Sequence, residues 1–435
     1  MKDRKTRSIK KKIEEKIWEI PVIDIHTHLN VNHPSAKDLT DIIFYHHIGS
    51  ELISSGMPPE NIWKNELPQE AIPPEIPPKE RIKKSLPYFK NISNTTLSWF
   101  LRTILKDIFG VKLGEINEKN WEKVYRDINL KLSSSGWSEY ILNTKCRIYR
   151  SITVKNVFKV EPNKQFELAS ECPDFFMNCM KSNSPQNTLK SLEKLLGGEI
   201  TNAIVYKKYL NDYFEKVFKR KVKAIGMWIP RQLIYEEVSE SKMNILIEKI
   251  KKGEDSLEIR NSFACYSIKN ILDIIRQSPV NVVQFFLGSD VHLPHRSLTV
   301  YSGILIRELC LFTNQYPDIK FDILNASEHY IHDTAIAAKH FPNIYISGYW
   351  WHSLYPYYIK KAIQTRLEIV PINKINGFFS DAYHSEWCYP KLKMVKNLLA
   401  EVLTEKIISG YYTERLALSI AEKVFYSNPK ELYKL

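Results

Sequence analysis

Short buried runs alternate with longer amphipathic stretches along most of this chain. Ile9, Ile13, Ile17 and Ile20 recur at helical spacing and predict a helix to about Glu19, which Pro21 stops. The β-branched run Val22-Ile23-Asp24-Ile25 then predicts a first strand. Further candidate strands lie at Cys146 to Val154, Gln165 to Leu168, Val222 to Ile229, Val280 to Gly288, Ile319 to Leu324, Ile344 to Tyr349 and Ile375 to Ser380, which makes eight. The one near Gln165 is the weakest. Helical patterns lie between most of them, at Ile204 to Phe218, Ser267 to Arg276, Ser302 to Gln315 and Thr334 to Phe341. Two more follow, at Lys391 to Leu403 and Glu414 to Tyr426. Strand and helix in alternation predict an α/β protein with a parallel sheet, and eight strands predict a (β/α)8 TIM barrel.

Residues 33 to 140 break the alternation. Asp41 to Ile48, Thr96 to Leu105 and Trp121 to Tyr125 are helical in pattern. Met57-Pro58-Pro59, Ile72-Pro73-Pro74 and Ile76-Pro77-Pro78 mark an extended proline-rich passage between them. A block of this kind after a first strand is expected as an elaborated loop over the barrel mouth. The expectation is therefore a single domain over residues 1–435, with 33–140 as a helical and proline-rich insert.

Charge and cysteines narrow the classes. The formal charge is +13, from 62 Lys and Arg against 49 Asp and Glu, but the excess is spread out except near Lys2 to Lys12. That cluster opens an amphipathic helix and no nucleic-acid-binding motif accompanies it, so no nucleic-acid partner is expected. No apolar stretch reaches the ~18–20 residues of a membrane span, and no apolar leader follows the basic start. Cys146, Cys172, Cys179, Cys265, Cys310 and Cys388 form no CxxC pair. Reduced thiols in a cytoplasmic protein fit them better than a disulfide framework. The expected partner is a small molecule; self-association into a homo-oligomer stays open.

The candidate chemistry starts at His26-Thr27-His28. Alternate strand residues share a face, so the two imidazoles project together and can grip one divalent metal. Ordinary strand histidines are the plainer alternative, but two of them buried at the C-terminal end of a barrel strand are costly without a ligand. Asp381 ends the apolar run Ile375 to Ser380. There it would sit beside the first strand in a closed barrel, as a third ligand or as a base; a helix N-cap is the simpler role for it. His46 and His47 offer a proton shuttle or a substrate donor. Adjacent helical residues point about 100° apart, so one of the pair is expected to face the site and a surface role competes. Asn325 can orient a substrate, and His329 can reach in from the following loop. His340 reads as a helix-end residue. Trp350 and Trp351 follow the seventh strand as a ring platform or as a hydrophobic wall.

These residues together resemble the amidohydrolase superfamily of metal-dependent barrels, in the branch of uronate (glucuronate) isomerase and amidohydrolase-related proteins. Asp24, His26, His28 and Leu29 match the Asp-x-His-x-His-Leu start, and the similarity spans nearly the whole chain. It includes the long insert, Gln284 to Gly288, Ser347 to Trp351, and Val370 to Ile375 leading to Asp381. The resemblance implies one divalent ion, zinc first and manganese or iron after it, on His26, His28 and Asp381. Phe286 and Asn325 stand where relatives of this kind carry further histidines. His46-His47 takes the place of a His-Tyr pair, and Tyr383 that of an arginine. Without that arginine the bidentate clamp for a uronate carboxylate is missing. The expectation is hydrolysis of a small polar substrate by a metal-activated water, with Asp381 as base. Uronate isomerisation is the alternative, and a non-catalytic binding barrel the third reading.

Overall fold

The computed structural model describes residues 2–63, 74–155, 157–176, 184–293 and 296–435. Eleven strands occur among them: β1 Val22–Thr27, β2 Ile148–Thr153, β3 Phe166–Leu168, β4 Ser170–Glu171, β5 Ile225–Trp228, β6 Val282–Leu287, β7 Ser289–Leu293, β8 Arg296–Thr299, β9 Lys320–Asn325, β10 Ile344–Ser347 and β11 Ile375–Asn376. One parallel sheet has the order β1-β2-β3 and a second the order β11-β10-β9-β6-β5-β4. The weak third strand of the pattern changes partner at a single residue. Ala169 N–H donates to the Thr153 carbonyl at 2.9 Å, and Ser170 N–H to that of Ala224 at 3.1 Å. At the other edge, Asp381 N–H donates to the His26 carbonyl at 3.1 Å and His28 N–H to that of Ala382 at 3.0 Å. The segment after β11 thus lies along β1.

The last strand is shorter than its apolar run suggested. Regular pairing ends at Asn376, and the chain reaches Asp381 irregularly, with Asp381 at φ 51°. The antiparallel β7–β8 hairpin, and helices Pro185–Leu196, Glu240–Lys251 and Pro356–Ile369, were not apparent in the pattern. Pro77-Pro78 also reads differently in three dimensions. Pro78 opens helix Pro78–Phe89, where its missing N–H costs nothing. Pro73, like Cys179, lies outside the described residues.

Two apolar clusters organise the molecule. The outer one runs without a break from the insert (Leu39, Ile48, Phe100, Ile128) to the helices behind the sheets (Leu210, Phe263, Leu392). The inner one is smaller and includes Ile23, Ile25, Ile152, Phe286, Leu324, Trp350, Phe379 and Tyr433. The N-terminal helix Lys2–Glu19 buries Ile13 and Ile17 completely, as its spacing required.

Lys396, on helix Cys388–Ile408, is buried beneath that N-terminal helix. Its Nζ donates to the Ile20 carbonyl at 2.9 Å and lies 5.1 Å from the Trp18 ring centre. Burial pushes its pKa down from 10.5 to about 7. Between those values the unfolded chain holds a proton that the folded protein has lost, so stability rises with pH across that window. Lys396→Met should flatten the rise, as urea unfolding at pH 7 and pH 9 will show.

Candidate metal centre

His26 and His28 leave the end of β1 with ring centres 5.2 Å apart. His26 is buried, with Phe286 against its ring at 4.9 Å. The residue standing where a further histidine could have been is therefore a wall. His28 stacks on Tyr383, with centres 4.6 Å apart and planes 5° from parallel.

Asp381 faces both histidines. Its Oδ1 lies 3.3 Å from His28 Nε2 and 3.6 Å from His26 Nε2, while Oδ2 accepts from Trp350 Nε1 at 2.9 Å. It caps no helix. Its left-handed backbone is a conformation Asp tolerates better than most residues. The strain is held by Tyr45, whose hydroxyl donates to the Asp381 carbonyl at 3.1 Å.

The pattern did not single out Glu171, at the end of β4. Donor atoms of His26, His28 and Glu171 lie within 4.8 Å of one another, with Glu171 Oε1 3.8 Å from His26 Nε2. That oxygen is buried and has no hydrogen-bond partner. The available signal is an acid at the C-terminal end of a parallel strand, the same one that marks Asp381. The predicted third strand stopped at Leu168 and left Glu171 in the loop.

Charge follows the geometry. Burial, then the charge of His28, pushes His26 down to about 3, so its ring is neutral. Burial also acts to lower His28, but the hydrogen bond and charge of Asp381, with Glu171, outweigh it and raise the pKa. Burial acts to raise Asp381; His28, His26 and Lys391 outweigh it and hold the carboxyl well below the usual range. Glu171 moves up, mainly through burial. Two imidazoles with two carboxylates, one bearing an unpartnered buried oxygen, suit a divalent ion of the zinc or manganese kind.

His46 and His47 start helix His46–Ser54, after a break at Phe44-Tyr45. The expected divergence of the two rings does not hold at this helix start. Their centres are 4.0 Å apart, and the charge of Asp381 acts on both. His46 also meets the Tyr383 ring edge-on at 5.2 Å, and its Nε2 is buried without a hydrogen-bond partner. Burial, then the charge of His47, holds His46 well below the ordinary histidine value, and burial brings His47 down to about 4. A tyrosine is present beside this pair, at position 45 rather than 47.

The remaining candidates divide. Trp350 is in the site through Asp381, and Tyr383 through His28. Asn325 spends its amide on Ser327, donating to its carbonyl at 2.6 Å and accepting from its N–H at 2.8 Å. His329 is exposed, beside Tyr301 at 5.4 Å. The Trp351 side chain lies outside the described residues. Beyond Tyr383, the Nζ of exposed Lys155 lies 5.8 Å from its ring centre.

No protein-family model matches this chain. A curated protein of Emericella nidulans, Protein fluG, is 22% identical over 162 residues, which is 34% of this chain and only 18% of that protein's length. Solved structures match far more of it. Glucuronate isomerase from Caulobacter crescentus superposes with a TM-score of 0.84 at 14% identity, over 99% of this chain and 94% of that one. Uronate isomerase from Thermotoga maritima gives 0.81 at 14% identity, over 98% and 97%. The fold is that of the uronate isomerases. A uronate isomerase from Bacillus halodurans agrees, at 0.75 and 16% identity over 99% and 97% of the two chains. Coverage this complete takes in the insert, so the uronate isomerase fold extends to the segment that carries His46 and His47.

Proposed function

We propose that this chain is a metal-dependent enzyme on a closed (β/α)8 barrel, and that it transfers protons on a small hydroxylated acid of the uronate class. The observation that carries the reading is the grouping of His26, His28 and Glu171, with Glu171 Oε1 buried and unpartnered and with Asp381 Oδ1 facing both histidines. Those four would hold one divalent ion, which when bound would polarise a substrate hydroxyl or carbonyl as a Lewis acid. Asp381 stays ionised and is fixed in direction by Trp350, so it can accept a proton. His46 and His47, kept neutral and within reach of the Asp381 charge, would serve as a second proton-handling pair. Moving a proton between adjacent carbons needs proton carriers at two points of the substrate. Tyr383 and Trp350 would wall the space, with Lys155 a cation beyond the Tyr383 ring.

Hydrolysis is the second reading. It is favoured by Tyr383, which stands where a carboxylate-clamping arginine was expected, and it needs only Asp381 as base. Turnover separates the two. Protein loaded with zinc or manganese is expected to isomerise glucuronate or galacturonate, and Asp381→Asn to abolish that activity with the fold intact. No turnover of either acid, with about one tightly held ion per chain, would favour the hydrolase. If a single cation serves the substrate carboxylate, Lys155→Gln should raise KM about 10-fold or more and leave kcat nearly unchanged.

A further inference from the structure

Below the metal candidates a hydrogen-bond chain leads away from His26. His26 Nδ1 lies 3.3 Å from Gln284 Oε1, on β6. The Gln284 Nε2 amide donates twice, to the Ile25 carbonyl at 2.9 Å and to the Tyr433 hydroxyl at 2.9 Å. The Ile25 carbonyl can only accept, so this amide cannot turn over. Gln284 Oε1 therefore faces His26, and His26 must carry its proton on Nδ1. Tyr433 spends its lone pair on Gln284 and donates to Asp322 Oδ2 at 2.5 Å. The Ser347 hydroxyl, at 2.5 and 2.7 Å from the two oxygens, also points its proton at Asp322.

We infer that Gln284, Tyr433 and Asp322 are positioning residues that lock His26 in its Nδ1–H tautomer and aim the Nε2 lone pair at the metal centre. Tyr433 is delivered by helix Asn428–Tyr433, far in sequence from the strand that carries His26. That helix is anchored by Asn428 Nδ2, which donates to the carbonyls of Ile372 at 2.6 Å and Ile375 at 2.8 Å. All three residues are buried. An isolated imidazole exchanges freely between tautomers. Here the wrong tautomer would oppose two lone pairs at Gln284 Oε1 and put an N–H where the ion should bind. Partners of this kind are worth 10–100-fold in metal affinity.

The functional weight of the inference rests on the metal reading above; the tautomer does not. Nitrogen-15 spectra of the metal-free full-length protein, labelled at histidine, should show His26 with a protonated Nδ1 and a bare Nε2. Gln284→Leu should shift the population to Nε2–H, and Tyr433→Phe should restore part of the exchange. Cobalt(II) titration, read in the visible bands, should give a Kd raised about 10–100-fold in Gln284→Leu and less in Tyr433→Phe. A His26 Nδ1 without a proton in the wild type overturns the inference. So does cobalt affinity unchanged within twofold in both variants. Should Gln284→Leu fail to fold, Tyr433→Phe, which removes one oxygen, carries the test. Wild-type protein that binds no ion overturns the metal reading alone, and the nitrogen spectra still decide the tautomer.

Discussion

Replacing His26 or His28 by alanine is expected to weaken zinc binding by more than about 100-fold, beyond the 10–100-fold typical when an outer partner is lost. Among the described residues, the donor atoms that lie within 4.8 Å of one another are those of His26, His28 and Glu171, so each histidine variant removes one of the two imidazoles of that group. Chelator competition measures the loss, and circular dichroism confirms that the fold survives. The carboxylates should rank apart. Asp381→Asn keeps the left-handed backbone, and if its oxygen keeps the Trp350 contact its NH2 takes the place of Oδ1, so its effect reports the loss of both the charge and the ligand lone pair there. Glu171→Gln puts an amide where an unpartnered oxygen faces His26. If Glu171 is a ligand, both substitutions weaken zinc; if Asp381 alone is one, Glu171→Gln leaves the affinity intact. Unchanged affinity in both histidine variants would dismiss the centre altogether.

Gly348→Ala should destabilise the protein by about 3 kcal/mol, the sum of overpacking and a left-handed alanine. Gly348 follows β10 at φ +45°, and a Cβ there would stand 2.1 Å from Phe379 Cδ1 and 2.4 Å from Cε1. Phe379 cannot retreat cheaply, because its ring meets His26 edge-on at 6.0 Å and carries Lys391 Nζ at 4.9 Å. Gly197→Ala is the control: its φ is +87°, but nothing lies within 4 Å of the added carbon. It should cost only about 1 kcal/mol, from the backbone alone. Denaturant unfolding of the two variants separates sterics from conformation. Equal losses would mean that Phe379 moves freely, and that the wall behind His26 is softer than its packing indicates.

Much of the architecture was legible because buried parallel strands write continuous apolar runs. Val22 to Ile25 and Val282 to Leu287 stood out for that reason. The third strand was faint because its pairing splits at Ala169, leaving runs too short to show a period. Its end therefore carries no apolar signal and Glu171 reads as a loop residue, whereas Asp381 at a comparable place closes a full apolar run. Asp381 was legible as an acid beside a histidine strand, but the irregular path that strains it was not, since Gly377 to Ser380 reads as ordinary strand. The β7–β8 hairpin lies in a loop and owes nothing to the periodicity around it. Tyr433 could not be anticipated: its partners Gln284 and Asp322 are distant in sequence, and a tyrosine near a helix end carries no mark of where its hydroxyl goes.

The Trp350–Asp381 hydrogen bond also makes the protein its own indicator. The indole is nearly excluded from solvent, packs edge-on against Trp228 at 5.0 Å, and donates to the carboxylate that faces both histidines. A cation arriving at Asp381 Oδ1 would alter the field along that N–H bond. The emission colour of this one chromophore, isolated as the wild-type-minus-Trp350→Phe difference, would then titrate with metal and give an optical readout of occupancy before any substrate is identified.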